Sequence, residues 1–248
     1  MIYFVGAGSG AVDLITVRGE RLLKQADTVI YAGSLVNPDH LKRCKPEAKI
    51  YNSATMTLEE IIQVMSTHSG NIVRLHTGDP SLYGAIDEQM RALDQLGLAY
   101  EVVPGVSSFC GAAASLGAEY TQPGVSQSLI ITRIAGRTPV PEKEDLSQLA
   151  SHGASMVIFL STSHMKRVQE ELLKGGYRPD TPVAVVYKAT WPDEKIYQTR
   201  LDQLAELADQ TGLKNTSLIL VGDFLSGQGE RSMLYHPEFT TLFREAKA

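Results

Sequence analysis

The sequence predicts an α/β protein of two α/β domains, with a mostly parallel sheet in residues 1–118 and a mixed sheet in residues 119–248. Three observations predict it. Apolar runs at 2–5, 28–31, 71–75 and 100–103 alternate with helical patterns, the order that builds a parallel sheet with helices on both faces. Several of these runs leave into loops of glycine, proline and small polar residues, as ligand loops at the carboxyl ends of parallel strands do. Beyond residue 126 there are more strands per helix and more short polar turns.

The elements follow in order. Ile2-Tyr3-Phe4-Val5 is a strand that enters Gly6-Ala7-Gly8-Ser9-Gly10, and Thr16 is placed to cap the next helix. Gly6, Gly8 and Ala11 fit a loose G-x-G-x-x-G/A fingerprint. However, the loop is too long to set a pyrophosphate on that helix, and the second strand ends in Ala32-Gly33-Ser34 without a ribose-binding acid. A glycine loop of another kind or a tight strand exit both fit. Lys49–Tyr51 is a short strand. Thr57 and Glu60 form a capping box ahead of a helix with Leu58, Ile61, Ile62 and Met65 on one face. After the strand at 71–75, Ile86, Met90 and Leu93 mark a helix that Gly97 stops. Tyr100–Val103 is a strand, followed by Pro104-Gly105-Val106-Ser107-Ser108 and a helix of small residues from Cys110 to Ser115.

Residues 118–126 read as a crossing between domains. Strands follow at 128–132, 156–160, 182–187, 196–199 and 217–221. Ser163 is expected to cap a helix ending near Lys174, and a further helix spans about 201–209.

Composition narrows the function. Hydrophobic residues at 43% and charged residues at 21% are those of a globular protein. No apolar run approaches the ~20 residues of a membrane span, so no membrane partner is expected. A net charge of −5 argues against broad phosphate-backbone binding, so no nucleic-acid partner is expected. Cys44 and Cys110 lack metal-type spacing, so neither a metal site nor a disulfide framework is expected. Met1 leads directly into an apolar strand with no basic region or cleavage site, and cytoplasmic localisation fits.

The richest stretch is Arg74-Leu75-His76-Thr77-Gly78-Asp79-Pro80-Ser81-Leu82-Tyr83-Gly84. Its glycines and proline can bring bare backbone against a small molecule. Asp79 suits turn and helix support more than direct catalysis. His76, at a strand end, suits a hydrogen-bonded structural role more than that of a base. No residue declares itself a general base.

Taken together, the loops resemble the tetrapyrrole methylases, the class III methyltransferases that use S-adenosylmethionine. The resemblance rests on Val5–Gly10 with Asp13–Thr16, Thr77–Pro80 with Tyr83-Gly84, Pro104–Ser108, Pro182–Val186 with Thr190 and Pro192, and Ser217–Gly222. It implies a folded S-adenosylmethionine in a cleft between the domains, released as S-adenosylhomocysteine. Gly8, Thr77, Gly78, Asp79, Tyr83, Ser107 and Ser108 would hold it from one side, and Leu160, Ala184, Lys188 and Ala189 from the other. Tyr31–Val36 and Thr132-Arg133 with Gly136–Pro141 resemble the members that methylate C11 of precorrin-4 or its cobalt form in cobalamin synthesis. That implies a tetrapyrrole rich in carboxylates, with Gly33, Ser34, Arg133 and Arg137 as its contacts, since guanidinium groups grip carboxylates bidentately. Tyr187 is a weaker candidate. A homodimer is implied by the family alone. Two departures stand out: Ser9 occupies the place of the family's usual proline, and Ala32 that of an aspartate in uroporphyrinogen methyltransferases. The same fold acting on another precorrin, uroporphyrinogen III, ribosomal RNA or diphthine remains open, as do a nicotinamide oxidoreductase and a non-catalytic tetrapyrrole carrier.

Overall fold

The structure, a computed structural model, describes residues 1–246. They form two compact units. Met1–Ser115 and Lys188–Glu194 make the first, and Leu116–Tyr187 with the chain from Lys195 onward makes the second.

The first unit holds a five-stranded sheet in the order β3-β2-β4-β1-β5, every pair parallel. The strands are β1 (Ile2–Gly6), β2 (Thr28–Tyr31), β3 (Lys49–Asn52), β4 (Ile72–His76) and β5 (Tyr100–Val103). The helices are α1 (Val17–Gln25), α2 (Leu58–Thr67), α3 (Ile86–Gln95) and α4 (Ser108–Leu116). Side chains alternate across the pleat and build two cores. Val5, Val29, Val73, Leu75 and Val103 pack with Leu22 and Leu23 of α1 on one face. Ile2, Phe4, Ile30 and Ile72 pack with Ile61 and Met65 of α2 and Leu93 of α3 on the other. Each such fully buried side chain contributes ~1.5–3 kcal/mol.

Local signals set the helix starts. Thr16 accepts a 3.1 Å hydrogen bond from the Gly19 N–H and caps α1. At α2, Thr57 and Glu60 close the reciprocal capping box that the sequence predicts.

The second unit is mixed. Its sheet runs β6-β7-β10-β8-β9, with β6 and β7 parallel and all other pairs antiparallel. The strands are β6 (Leu129–Arg133), β7 (Ser155–Phe159), β8 (Pro182–Tyr187), β9 (Lys195–Arg200) and β10 (Ser217–Val221). The helices α5 (Leu146–Ala150), α6 (Met165–Lys174) and α7 (Leu204–Thr211) cover one face, where Leu146, Met165, Val168, Leu172 and Leu204 meet Met156, Ile158, Val183 and Val185. The expected Ser163 cap is not formed. A 3-10 turn over Thr162–His164 puts His164 at the N-cap without a side-chain cap bond, and Ser163 Oγ turns to His164 Nδ1 at 3.0 Å. The predicted helix at 201–209 starts as a 3-10 turn at Leu201–Gln203 before α7. No helix among the described residues is long and apolar enough to cross a membrane.

Candidate functional site

Chain direction selects one edge of the first sheet. From β1 the chain crosses to α1 on one face, and from the adjacent β4 it crosses to α3 on the other. Neighbouring parallel strands that diverge in this way open a crevice at their carboxyl ends. The loops meet there by backbone contact. Gly8 N–H donates to the Gly78 carbonyl at 3.3 Å, Gly78 N–H to the Gly8 carbonyl at 2.8 Å, and Ala7 N–H to the His76 carbonyl at 2.8 Å. The loop after β5 presses in as well: a Cβ on Gly6 would lie 2.6 Å from both Gly105 Cα and the Gly78 carbonyl oxygen. Only glycine fits there. Gly8 and Gly78 have φ of +86° and +61°, in the left-handed region that glycine enters without penalty. Tyr83 and Ala85 hold φ of +55° and +50° without that freedom, and such strained residues gather at ligand sites.

Asp79 ties this edge together. Its Oδ1 accepts from the Ser81 N–H at 2.8 Å and from the Ser81 hydroxyl, and its Oδ2 accepts from the Gly105 N–H at 2.8 Å. Burial pushes the carboxyl up, but the Ser81 hydroxyl, Gly105 N–H and Ser81 N–H outweigh it and leave its pKa below the usual value. Asp79 therefore braces the loops after β4 and β5 as an anion, with both oxygens engaged.

Arg74 and His76 point from β4 to the face of α2 and α3. Arg74 is buried, with Nε 3.3 Å from Gln89 Oε1 and Nη1 3.3 Å from the Ile30 carbonyl, and burial lowers its pKa to about 10. His76 is buried, and among the described residues its Nε2 has no hydrogen-bond partner. Burial first, then the Arg74 charge, lowers its pKa to about 3, so the ring is neutral at pH 7. A ring so placed is a structural group and not a proton acceptor near neutrality. The turn after β2 adds support, since Asn37 Nδ2 donates to the Gly10 carbonyl at 2.9 Å. Asn37 also caps its own turn through the Asp39 N–H, and the Asn-Pro pair was the available sign of that turn.

The other predicted residues fall into three places. Ser107 and Ser108 lie at the start of α4, 3.4 Å and 3.5 Å from where a Cβ on Gly78 would stand. Thr77 belongs to the same edge, and so do the half-buried Gly33 and exposed Ser34 beyond β2. Lys188 and Ala189 lie in the β8–β9 connection, which belongs to the first unit. Lys188 Nζ stands 2.6 Å from Asp193 Oδ2 and 5.2 Å from the centre of the Trp191 ring.

The second unit carries the rest. Leu160 follows β7 with φ +52° and is 64% exposed, a strained and open position for a bulky apolar residue. Ala184 is buried in the middle of β8, paired on both sides. Tyr187 ends β8 and pairs with Ser217 and Lys195. Arg133 directs its guanidinium to the carbonyls of its own loop, Thr138 at 3.1 Å and Pro139 at 2.6 Å. That holds the shape of the loop bearing Arg137, which is exposed and makes no hydrogen bond or ion pair among the described residues. Among those residues, no cluster of His, Cys, Asp and Glu could hold a metal ion.

Comparison with known proteins fits this geometry. The chain is 51% identical over 249 residues to a cobalt-precorrin-4 C(11)-methyltransferase of Methanocaldococcus jannaschii, covering 99% of this chain and 96% of that protein. A crystal structure of a cobalt precorrin-4 methyltransferase, described as a cobalamin biosynthetic enzyme, superposes with a TM-score of 0.88 at 47% identity, covering 90% of this chain and 95% of that one. A uroporphyrin-III C-methyl transferase from Thermus thermophilus, solved with S-adenosyl homocysteine, superposes with a TM-score of 0.78 at 27% identity, covering 93% and 95% of the two chains. A family model for the tetrapyrrole (corrin/porphyrin) methylases matches residues 1–205, and with these full-length relatives the chain belongs to that family.

Proposed function

We propose that this chain is an S-adenosylmethionine-dependent C-methyltransferase acting on C11 of precorrin-4 or its cobalt form in cobalamin synthesis. The observation that carries this reading is 51% identity over 99% of the chain to a protein of that name. The site supports it. Gly6, Gly78 and Gly105 leave bare backbone at the switch point, as a small molecule held by main-chain groups requires. The end of β2 offers Ala32-Gly33 and no acid for a nicotinamide ribose.

On this reading the roles are as follows. Gly8, Thr77, Gly78, Tyr83, Ser107 and Ser108 line the cofactor on the first sheet's edge, with Lys188 and Ala189 beside them. Asp79 fixes that edge. Leu160 and the small, buried Ala184 are the remaining cofactor contacts of this reading. When bound, S-adenosylmethionine supplies a methyl group to a nucleophilic carbon while its sulfur keeps the bonding pair, leaving S-adenosylhomocysteine. The protein then needs to align and to exclude water more than to react covalently.

Gly33, Ser34 and Arg137 take the tetrapyrrole, and Arg133 shapes the loop that presents Arg137. Arg137→Ala is expected to weaken tetrapyrrole binding about tenfold, as loss of an exposed charge-assisted contact does, and to leave S-adenosylhomocysteine affinity within about twofold. Equal loss of both ligands would contradict the assignment. The cytoplasm is the proposed location. A homodimer is proposed from the family; sedimentation at the molecular weight of one chain would reject it.

Calorimetric titration with S-adenosylhomocysteine, with NADH in parallel, tests the cofactor, and precorrin-4 with its cobalt form then tests the acceptor. Saturable binding of S-adenosylhomocysteine alone is expected. Binding of NADH alone would overturn the reading.

A further inference from the structure

We propose that Thr190 and Glu194 are positioning residues that clamp the β8–β9 connection and so place Lys188 and Ala189 for the cofactor. The inference rests on the cofactor reading above. Lys188 and Thr190 have φ of +50° and +66°, one on each side of the buried Ala189. A β-branched residue such as threonine is a strong outlier in that region. Two strained residues in three persist only where surrounding contacts over-determine them.

Those contacts are present within the first unit. One carboxylate oxygen, Glu194 Oε2, accepts from the Thr190 N–H at 2.5 Å and from the Ser115 hydroxyl of α4 at 2.6 Å. The Thr190 hydroxyl oxygen accepts from the Ala11 N–H at 3.1 Å and pairs with the Ser9 hydroxyl at 2.9 Å. The connection is thus tied to the first glycine loop at one point and to α4 at another. Gly111 makes room for this. A Cβ there would stand 2.6 Å from Ser9 Oγ and 3.1 Å from Thr190 Cγ2, which gives the small-residue surface of α4 a specific use. Gly10 does the same for Trp191, whose ring occupies the space a Cβ would need.

Ser9 is part of the clamp through its hydroxyl. The remote partners of Thr190 hold it in the backbone conformation that turns Ala189 inward. In this arrangement a change at Glu194 reaches the cofactor through Thr190 and Ala189, without Glu194 touching it.

The test uses the full chain and three variants: Glu194→Ala, Glu194→Gln and Thr190→Val. Amide hydrogen exchange of residues 188–194 reads whether the connection is held, and calorimetry with S-adenosylhomocysteine reads whether holding it matters. Glu194→Ala and Thr190→Val are expected to speed exchange of this segment and to weaken S-adenosylhomocysteine about tenfold or more. Glu194→Gln should stay within about threefold of the parent, because its amide oxygen accepts the same two hydrogen bonds. Loss of affinity in the alanine variant with rescue by glutamine separates positioning from general destabilisation. Unchanged exchange, or faster exchange with unchanged affinity, would overturn the proposal. A parent chain that binds no S-adenosylhomocysteine would overturn the cofactor reading and the positioning role together, while exchange in the variants still reports whether the clamp exists.

Discussion

Gly6→Ala is expected to lower S-adenosylhomocysteine affinity about a hundredfold. The methyl carbon would lie 2.6 Å from Gly105 Cα and from the Gly78 carbonyl oxygen, and 2.8 Å from the Gly105 nitrogen. All three are main-chain atoms, so no rotamer change relieves the overlap. Relief requires the loops after β4 and β5 to separate, which breaks the Gly8–Gly78 pair and strains the Asp79 bond to the Gly105 N–H. Overpacking of this kind costs ~1–3 kcal/mol, and here it falls on the edge that would hold the ligand. Stability should fall as well, because β1 is hydrogen-bonded on both sides. Calorimetry on the folded variant decides the matter: full affinity would show that these loops do not form the cofactor edge.

The second large effect concerns acid. His76→Phe is expected to flatten the loss of stability between pH 6.5 and pH 4. In the folded protein burial and the Arg74 charge lower the His76 pKa to about 3, against 6.5 when unfolded. Above pH 6.5 the ring is neutral in both states and contributes no pH dependence. As pH falls through 6.5 the unfolded chain takes up a proton that the folded chain refuses until about 3, so stability is lost across that window. The loss is about 2 kcal/mol at pH 5 and about 4 kcal/mol near pH 3. Phenylalanine carries no such proton, and it would join Phe4, whose ring centre lies 6.0 Å from that of His76. Urea unfolding at several pH values measures the slope, which is unaffected by any uniform change from the new ring. Parallel curves for the two proteins would mean that another group dominates the acid limb.

Much of the fold can be read in local patterns. Alternation along β1, β2 and β4 sorts Val5, Val29 and Val73 from Phe4, Ile30 and Ile72, and the cores divide on that line. The Thr57–Glu60 box closes as its spacing predicts, because both partners lie within one turn of the same helix. Ser163 fails for the converse reason. Its hydroxyl has His164 as an adjacent partner, and a 3-10 turn moves the N-cap one residue on, to His164. Sequence patterns locate helix ends only to within such shifts.

The site was legible in kind and not in arrangement. Small residues after β1, β4 and β5 marked loops that meet main chain to main chain, since glycine leaves a chemical trace wherever backbone must approach backbone. Arg133 and Arg137 looked alike as sequence, yet one spends its guanidinium on the Thr138 and Pro139 carbonyls while the other is exposed. Glu194 carried no signal of its own, because its meaning comes from Ser115, 79 positions away, and from the strained Thr190.

By itself, then, the sequence determined which segments are strands and helices, which strand exits are built of glycine and small residues, and which family the motifs belong to. These follow from residue type and short spacing, where propensity and pattern act. Only the tertiary structure decided that Gly6, Gly78 and Gly105 meet, that His76 is neutral beside Arg74, and that Ser9 bonds to Thr190, 181 positions away. The physical reason is that burial, strain and hydrogen-bond partnership depend on distances between elements, which chain closure sets and residue spacing does not encode.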